Sequence, residues 1–268
     1  MKMWLRSALL VMVATTVVTS PGEAQVPDGT PVYTRIANWQ IARPNWDAYA
    51  ADLEKNQLPL MEKLLADGVI TEYGVASNVV HTPDGYTHTT WFSSKTLAQL
   101  EKALGELVAS EAKLPDADRR RSNTDFAGTK HSDTLVRSRI IGGRTAKFTN
   151  GYMLVSLDQV QPGKGQAYTE WFEKSIRPVL EPLAANGAVN SFGVDTEFVH
   201  TGDPGLRVEW IIVPSADGLD KVDSAFSAAN RARTAAERDA MGQMLRETLV
   251  SGAHRDELWQ ISAYASKY

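Results

Sequence analysis

The chain has 268 residues, 43% hydrophobic and 22% charged, which suits one large or two small globular domains. It has no cysteine, which excludes disulfides, thiolate nucleophiles, iron–sulfur clusters and cysteine-type zinc sites. A formal charge of −4 argues against a nucleic-acid binder, which carries a basic surplus to meet phosphates.

The first element is residues 1–24. Lys2 and Arg6 precede an apolar run from Leu9 to Val18, and Gly22 and Ala24 place small residues at a cleavage position. This is the pattern of a secretory signal peptide, and the run is short for a membrane span. The expectation is an exported protein, periplasmic or extracellular, with no membrane attachment after cleavage. From residue 25 on, the chain carries 26 basic and 31 acidic residues, a net charge of −5. Arg119, Arg120 and Arg121 lie among Asp116, Asp118 and Asp125, which reads as a solvated helix face.

The next elements come twice. Offset by 119 residues, the stretch from Tyr33 to Leu104 matches itself at 20 of 72 positions. Chance gives roughly one in sixteen, so the chain is a tandem duplication with a domain-sized period. "YTRIANWQI" (33–41) alternates as a strand. A helix follows from Pro44 and stops at Gly68, with Pro59 placed to kink or break it. Two strands flank the turn "TPDG", a second helix covers "SKTLAQLEKALGELVAS", and "TLVRSRII" (134–141) is the last strand. The second copy repeats this order through "YMLVSLDQV", a helix with Pro178 at the place of Pro59, a hairpin around "TGDPG", a helical "SADGLD…LVSG" and the strand "ELWQISAYA". The predicted units are therefore 25–141 and 151–268, with 142–150 as linker.

Each copy reads β-α-β-β-α-β, a four-stranded antiparallel sheet with both helices on one face. Two such sheets in one chain can cover each other. The fold class is α+β: two tandem ferredoxin-like repeats forming a pseudo-twofold α+β barrel. The whole chain after residue 24 resembles the dimeric α+β-barrel superfamily in tandem form, and "PGKGQAYTEWFEKSIRPVLEPLAANG" resembles the first-helix region of NIPSNAP-like and EthD-like domains. The resemblance implies a scaffold shared by cofactor-free monooxygenases, lactone isomerases, and haem-binding and haem-degrading enzymes, and it names no reaction.

Strand alternation sorts the side chains. Leu206, Val208, Trp210 and Ile212 share one face of their strand, Arg207 and Glu209 the other. If the apolar face meets the helices, the polar face looks between the sheets. That predicts a wet inner surface bearing Tyr33, Arg35, Trp39, Glu72, Asn78, His88, Thr90, Phe92, Arg137 and Arg139 from the first copy. Tyr152, Asp158, Asp195, Glu197, Arg207, Glu209 and Gln260 come from the second. So many charges cannot form a dry core. The space is a ligand cavity, an open sheet face, or an internal salt-bridge network. Arg35, Trp39, Arg139, Arg207 and Glu197 are the candidate substrate-binding residues.

Four histidines follow the repeat: His81 with His200, His131 with His254. Closure would bring the second strand of each copy to the last strand of the other, so His81 would approach His254 and His200 would approach His131. They are candidate metal ligands at the rim, weighed against plain structural roles. His88 has no counterpart, Arg207 standing in its place; with Glu209 it is the candidate proton-transfer group. No nucleophile elbow, P-loop, H-E-x-x-H or dinucleotide motif is present. Three readings stay open: a cofactor-independent enzyme of monooxygenase, isomerase or lyase type acting on a small polar or anionic compound, a non-catalytic ligand-binding protein, or a metal or haem protein using the rim histidines. A monomer with an internal pseudo-dimer is expected, further association remaining open.

Overall fold

The computed structural model describes residues 31–83, 85–121, 130–200 and 205–267, with nothing described for the side chains of 120 and 121. The predicted signal peptide and most of the "TGDPG" turn lie outside the described residues.

Strand β1 (Tyr33–Trp39) leads into a helical segment that is not uniform. A 3₁₀ turn opens it. Helix α1 (Trp46–Asp52) then passes through a π-helical turn at Leu53–Gln57 into α2 (Leu58–Ala66). Pro59, in the first turn of α2, brings no N–H to the ladder, and the wider turn before it absorbs that loss. The second copy meets the same problem with a break between α5 (Gly165–Ser175) and α6 (Arg177–Ala185), where Pro178 sits at the new start. Gly68 and Gly187 end these segments with φ of 70° and 82°, the left-handed conformation that glycine adopts freely.

The hairpin of β2 (Glu72–Asn78) and β3 (His88–Ser94) follows, then α3 (Leu97–Glu111), the short α4 (Asp116–Arg121) and the long β4 (His131–Gly143). A three-residue strand, β5 (Ala146–Phe148), pairs with the end of β9. The segment expected as a linker, 142–150, is thus mostly sheet. The second copy contributes β6 (Tyr152–Gln159), β7 (Ser191–Glu197), β8 (Leu206–Val213) and β9 (Arg255–Ser266). Its crossover helix divides into α7 (Ala216–Ala232) and α8 (Ala235–Thr248). Thr234 and Glu237 form a reciprocal capping box at the break.

The sheet runs β2-β3-β1-β4-β7-β8-β6-β9, and β9 pairs back to β2. Every pairing is antiparallel, so eight strands close into a barrel. The junctions are the two anticipated from the repeat: β4 with β7, and β9 with β2. Each junction carries a bulge, at Arg139 and at Ser262, which are corresponding positions.

Three hydrophobic layers result. Met61, Leu64, Phe92 and Leu100 lie between the first copy's helices and its sheet. Tyr168, Phe172, Leu180, Phe192 and Val222 do the same for the second. The third lies inside the barrel: Trp91, Val155, Val208, Trp210, Ile212, Trp259 and Ile261. The assignment of faces made from alternation is therefore reversed for most strands. Even-numbered apolar residues of β8 face the lumen, and Arg207 and Glu209 face the helix side. The reason is that both faces are covered, so apolarity alone does not mark the helix side.

Candidate functional site: an aromatic lumen with buried carboxylates

Inside the barrel is a cavity of about 400 Å³. Trp91 and Trp210 enter it from equivalent positions of β3 and β8. The duplicated glycines make this possible. Gly74 is the cross-strand partner of Trp91, and Gly193 of Trp210. A Cβ on Gly74 would lie 2.0 Å from the Trp91 ring, and one on Gly193 2.6 Å from that of Trp210. Each indole therefore lies flat over the strand beside it, and Trp259 of β9, Met153, Val155 and Ile212 complete an apolar wall.

Each indole N–H is held by an acid. Trp91 Nε1 donates to Glu72 Oε1 at 2.6 Å, Trp210 Nε1 to Asp195 Oδ2 at 3.0 Å, and Trp259 Nε1 to Glu257 Oε2 at 3.1 Å. Glu72 Oε2 accepts from the Tyr264 hydroxyl at 3.0 Å. That hydroxyl has spent its proton, so Ser191 and Asn190 donate to its oxygen. Asp195 differs. Its Oδ1 has no hydrogen-bond partner, and it is 3% exposed. Burial pushes its pKa up to about 7, Glu72 adds to that, and Ser138 and Trp210 oppose it. The Ser138 hydroxyl lowers the pKa without completing a hydrogen bond to Oδ1. Glu197 Oε2 is likewise buried without a partner.

The lumen is acidic as well as aromatic. Glu72, Asp133, Asp195, Glu197 and Glu257 line it, against one cation, Arg255. Of the candidate binding residues, Glu197 lines this cavity and the others do not. Arg35 pairs with Asp133 at 2.7 Å and, with Trp39, lines a separate space between β1, β3 and the helices. Trp39 stacks on His131, ring centroids 3.9 Å apart. Arg139 and Arg207 meet each other on the outer face, away from the lumen.

The proton-transfer candidates are also outside. His88 is buried beneath α1, edge-on to Trp46 and Tyr49, with Nδ1 2.9 Å from Thr87 Oγ1. Burial, then His81, lowers its pKa to about 4, so it is a neutral packed imidazole. Glu209 shares the Tyr168 hydroxyl with Asp158. Burial raises its pKa to about 7, against the Tyr168 hydrogen bond that lowers it. His254 extends this network, Nδ1 2.9 Å from Asp158 and Nε2 3.2 Å from Asp256. Its hydrogen bond to Asp158 is the main cause of its raised pKa. The network ties α5 to β6, β8 and β9.

Each rim histidine has neighbours of its own. His81 lies against Trp46, His131 on Trp39 and beside Asp133, His200 beside the outer arginines, and His254 between two aspartates. Among the described residues, no three His, Asp or Glu side chains come together as metal ligands would. His88 and His131 lie on strands and His81, His200 and His254 in the loops beside them; none is in a helix and none lines the lumen. No helix among the described residues is long and apolar enough to cross a membrane.

Alternation alone found Glu72, Asp195 and Glu197 among the inner residues, but not the tryptophans. The signal for those was the duplicated pair of a strand glycine and a tryptophan on the next strand.

One solved structure agrees on the architecture. A candidate monooxygenase from Fusobacterium nucleatum superimposes with a TM-score of 0.59 at 9% identity, over 89% of this chain and 95% of its own. The shared fold is an α+β barrel. An anthrone oxidase-like protein aligns at a TM-score of 0.46 and 12% identity, covering 88% and 93% of the two chains. A chlorite dismutase variant from Candidatus Nitrospira defluvii gives 0.47 and 10%, covering 86% and 90%. No protein-family description matches the sequence, and no curated protein does.

Proposed function

We propose that the protein binds a small, mostly apolar, ring-bearing organic molecule in the lumen, and that Asp195 takes a proton from it. The observation that carries this is the unpartnered Oδ1 of Asp195 in an aromatic cavity, where burial pushes the pKa up to about 7. A base works best when its pKa lies close to ambient pH. The volume falls in the range of ordinary ligand sites, and flat indole faces suit a planar guest. The acidic lining and the outward position of Arg35, Arg139 and Arg207 favour a neutral or cationic guest over the anionic one expected from the sequence. Proton removal opens isomerase, lyase and cofactor-independent monooxygenase reactions alike, and it is the step assigned to Asp195. Export of the chain, inferred from residues 1–24, belongs to the same reading; N-terminal sequencing of the exported protein should begin at Gln25.

The test is a titration of the purified chain with neutral phenols and cyclic ketones, followed by tryptophan fluorescence and by exchange of the ligand's acidic proton with deuterium. Wild type should quench on binding and accelerate exchange. Asp195→Asn should still bind and should lose about 100-fold or more of the exchange rate. Undiminished exchange in Asp195→Asn would sink the assignment, and no quenching by any such compound would sink the lumen as the site.

A further inference from the structure

The outer face holds a second cavity, of about 280 Å³, at the junction between the two copies. Arg137 of β4 pairs across to Thr196 of β7, and Thr196 to Arg207 of β8. Strands lie about 4.8 Å apart, so the two arginine backbones flank the short threonine at about 10 Å. Arg139 joins them from the bulge between Ser138 and Ile140. His200 closes the end. The Arg207 guanidinium is aimed by its own backbone: Nη1 donates to the carbonyls of Gly205 and Leu206, at 3.3 and 3.0 Å. Its Nη2 passes over Gly165, where a Cβ would stand 2.7 Å away. Gly165 is the first residue of α5.

Three guanidinium groups line this cavity, with the Glu197 carboxylate beside them. Among the described residues, no carboxylate forms an ion pair with Arg137, Arg139 or Arg207. Glu197, buried between this cavity and the lumen, makes none. Burial lowers the pKa of Arg139 and of Arg207; Arg137 adds to the first effect and Arg139 to the second. The pseudo-twofold axis supplies an internal control. The corresponding row is Gln260, Ser77 and His88, with Ser262 in the corresponding bulge and His81 for His200. Duplication built this frame twice, and one of the two junctions has gathered three arginines.

We propose that this cavity binds an oxyanion of the phosphate or sulfate type. Guanidinium groups reaching in from two strands and a bulge can each meet a different oxygen of a tetrahedral anion, and arginine presents paired donors suited to such oxygens. The site opens on the opposite face of the sheet, with Glu197 and Leu206 lining both spaces, and does not depend on the lumen reading.

Calorimetry and thermal unfolding of the chain from residue 25 test it, with inorganic phosphate, sulfate, phenyl phosphate, and chloride at matched ionic strength. Phosphate should bind and raise Tm where chloride does not. Arg137→Gln and Arg139→Gln, at half-buried and exposed positions, should each weaken phosphate about tenfold. Asp195→Asn should leave the phosphate response intact, so this site and the lumen can fail separately. Tighter binding of phenyl phosphate than of phosphate would support an organic phosphate as the occupant, and equal affinity a free anion. An equal rise of Tm in matched chloride, or unweakened phosphate binding in both arginine variants, would overturn the proposal.

Discussion

Two buried titratable residues pull stability in opposite directions with pH. His88 has its folded pKa lowered to about 4. Below about pH 6.5 the unfolded chain takes up a proton that the native chain refuses, so stability falls as pH drops from about 6.5 to 4, by up to about 1.4 kcal/mol per unit. His88→Gln should flatten that limb, as urea unfolding across the acid range would show. Asp195 has its folded pKa raised to about 7. Its contribution is fully present below the unfolded value near 4 and is lost as pH rises through about 7. Asp195→Asn should therefore be more stable than wild type at pH 8 and lose the advantage towards pH 4. If its stability at pH 8 matched wild type, the carboxylate would be better solvated than its burial implies.

At the scale of elements, the glycine and tryptophan of neighbouring strands form one unit. Gly193→Ala brings a methyl group against both the Trp210 ring and the Ile140 carbonyl, each at 2.6 Å. The indole must leave its place over the strand, and overpacking of this kind costs about 1–3 kcal/mol. Denaturant unfolding should show that loss, together with a shift in tryptophan emission. Gly105→Ala, on α3 with open space around it, should not destabilise. Thr234→Ala removes one half of a reciprocal cap and should cost about 1 kcal/mol by the same measurement. This scale also shows where the sequence was legible. The eight barrel strands, the main helices, the irregularities at Pro59 and Pro178 and the two barrel junctions follow from the repeat and local punctuation, whereas β5 and the break between α7 and α8 do not. The lumen face did not, because parity tells which residues share a face, not which face is inside. On β8, Trp210 and Arg207 lie on opposite sides as read, but a tyrosine on α5 receives Glu209, so a charged face could turn to the helices.

The whole molecule is closed by contacts between its copies. β4 needs β7, and β9 needs β2. Residues 31–143 alone would expose both edges of a four-stranded sheet and its apolar lumen face. Such edges invite pairing with other chains. Expressed separately, each half should self-associate or precipitate, and co-expression of the two should restore a soluble pair. Size-exclusion chromatography would show it. Two monomeric, separately folded halves would contradict the closed ring.

The covalent join between the halves changes what the interior is free to become. In a pair of identical subunits every inward substitution is made twice, once on each side of the axis. An aspartate at the place of Asp195 would then face a second one, and two such charges in so small a space repel. Here the position across the axis is Ala76. One chain can keep an ionisable group on one wall and a methyl group on the other, so a guest has one orientation to prefer and one direction in which to lose its proton.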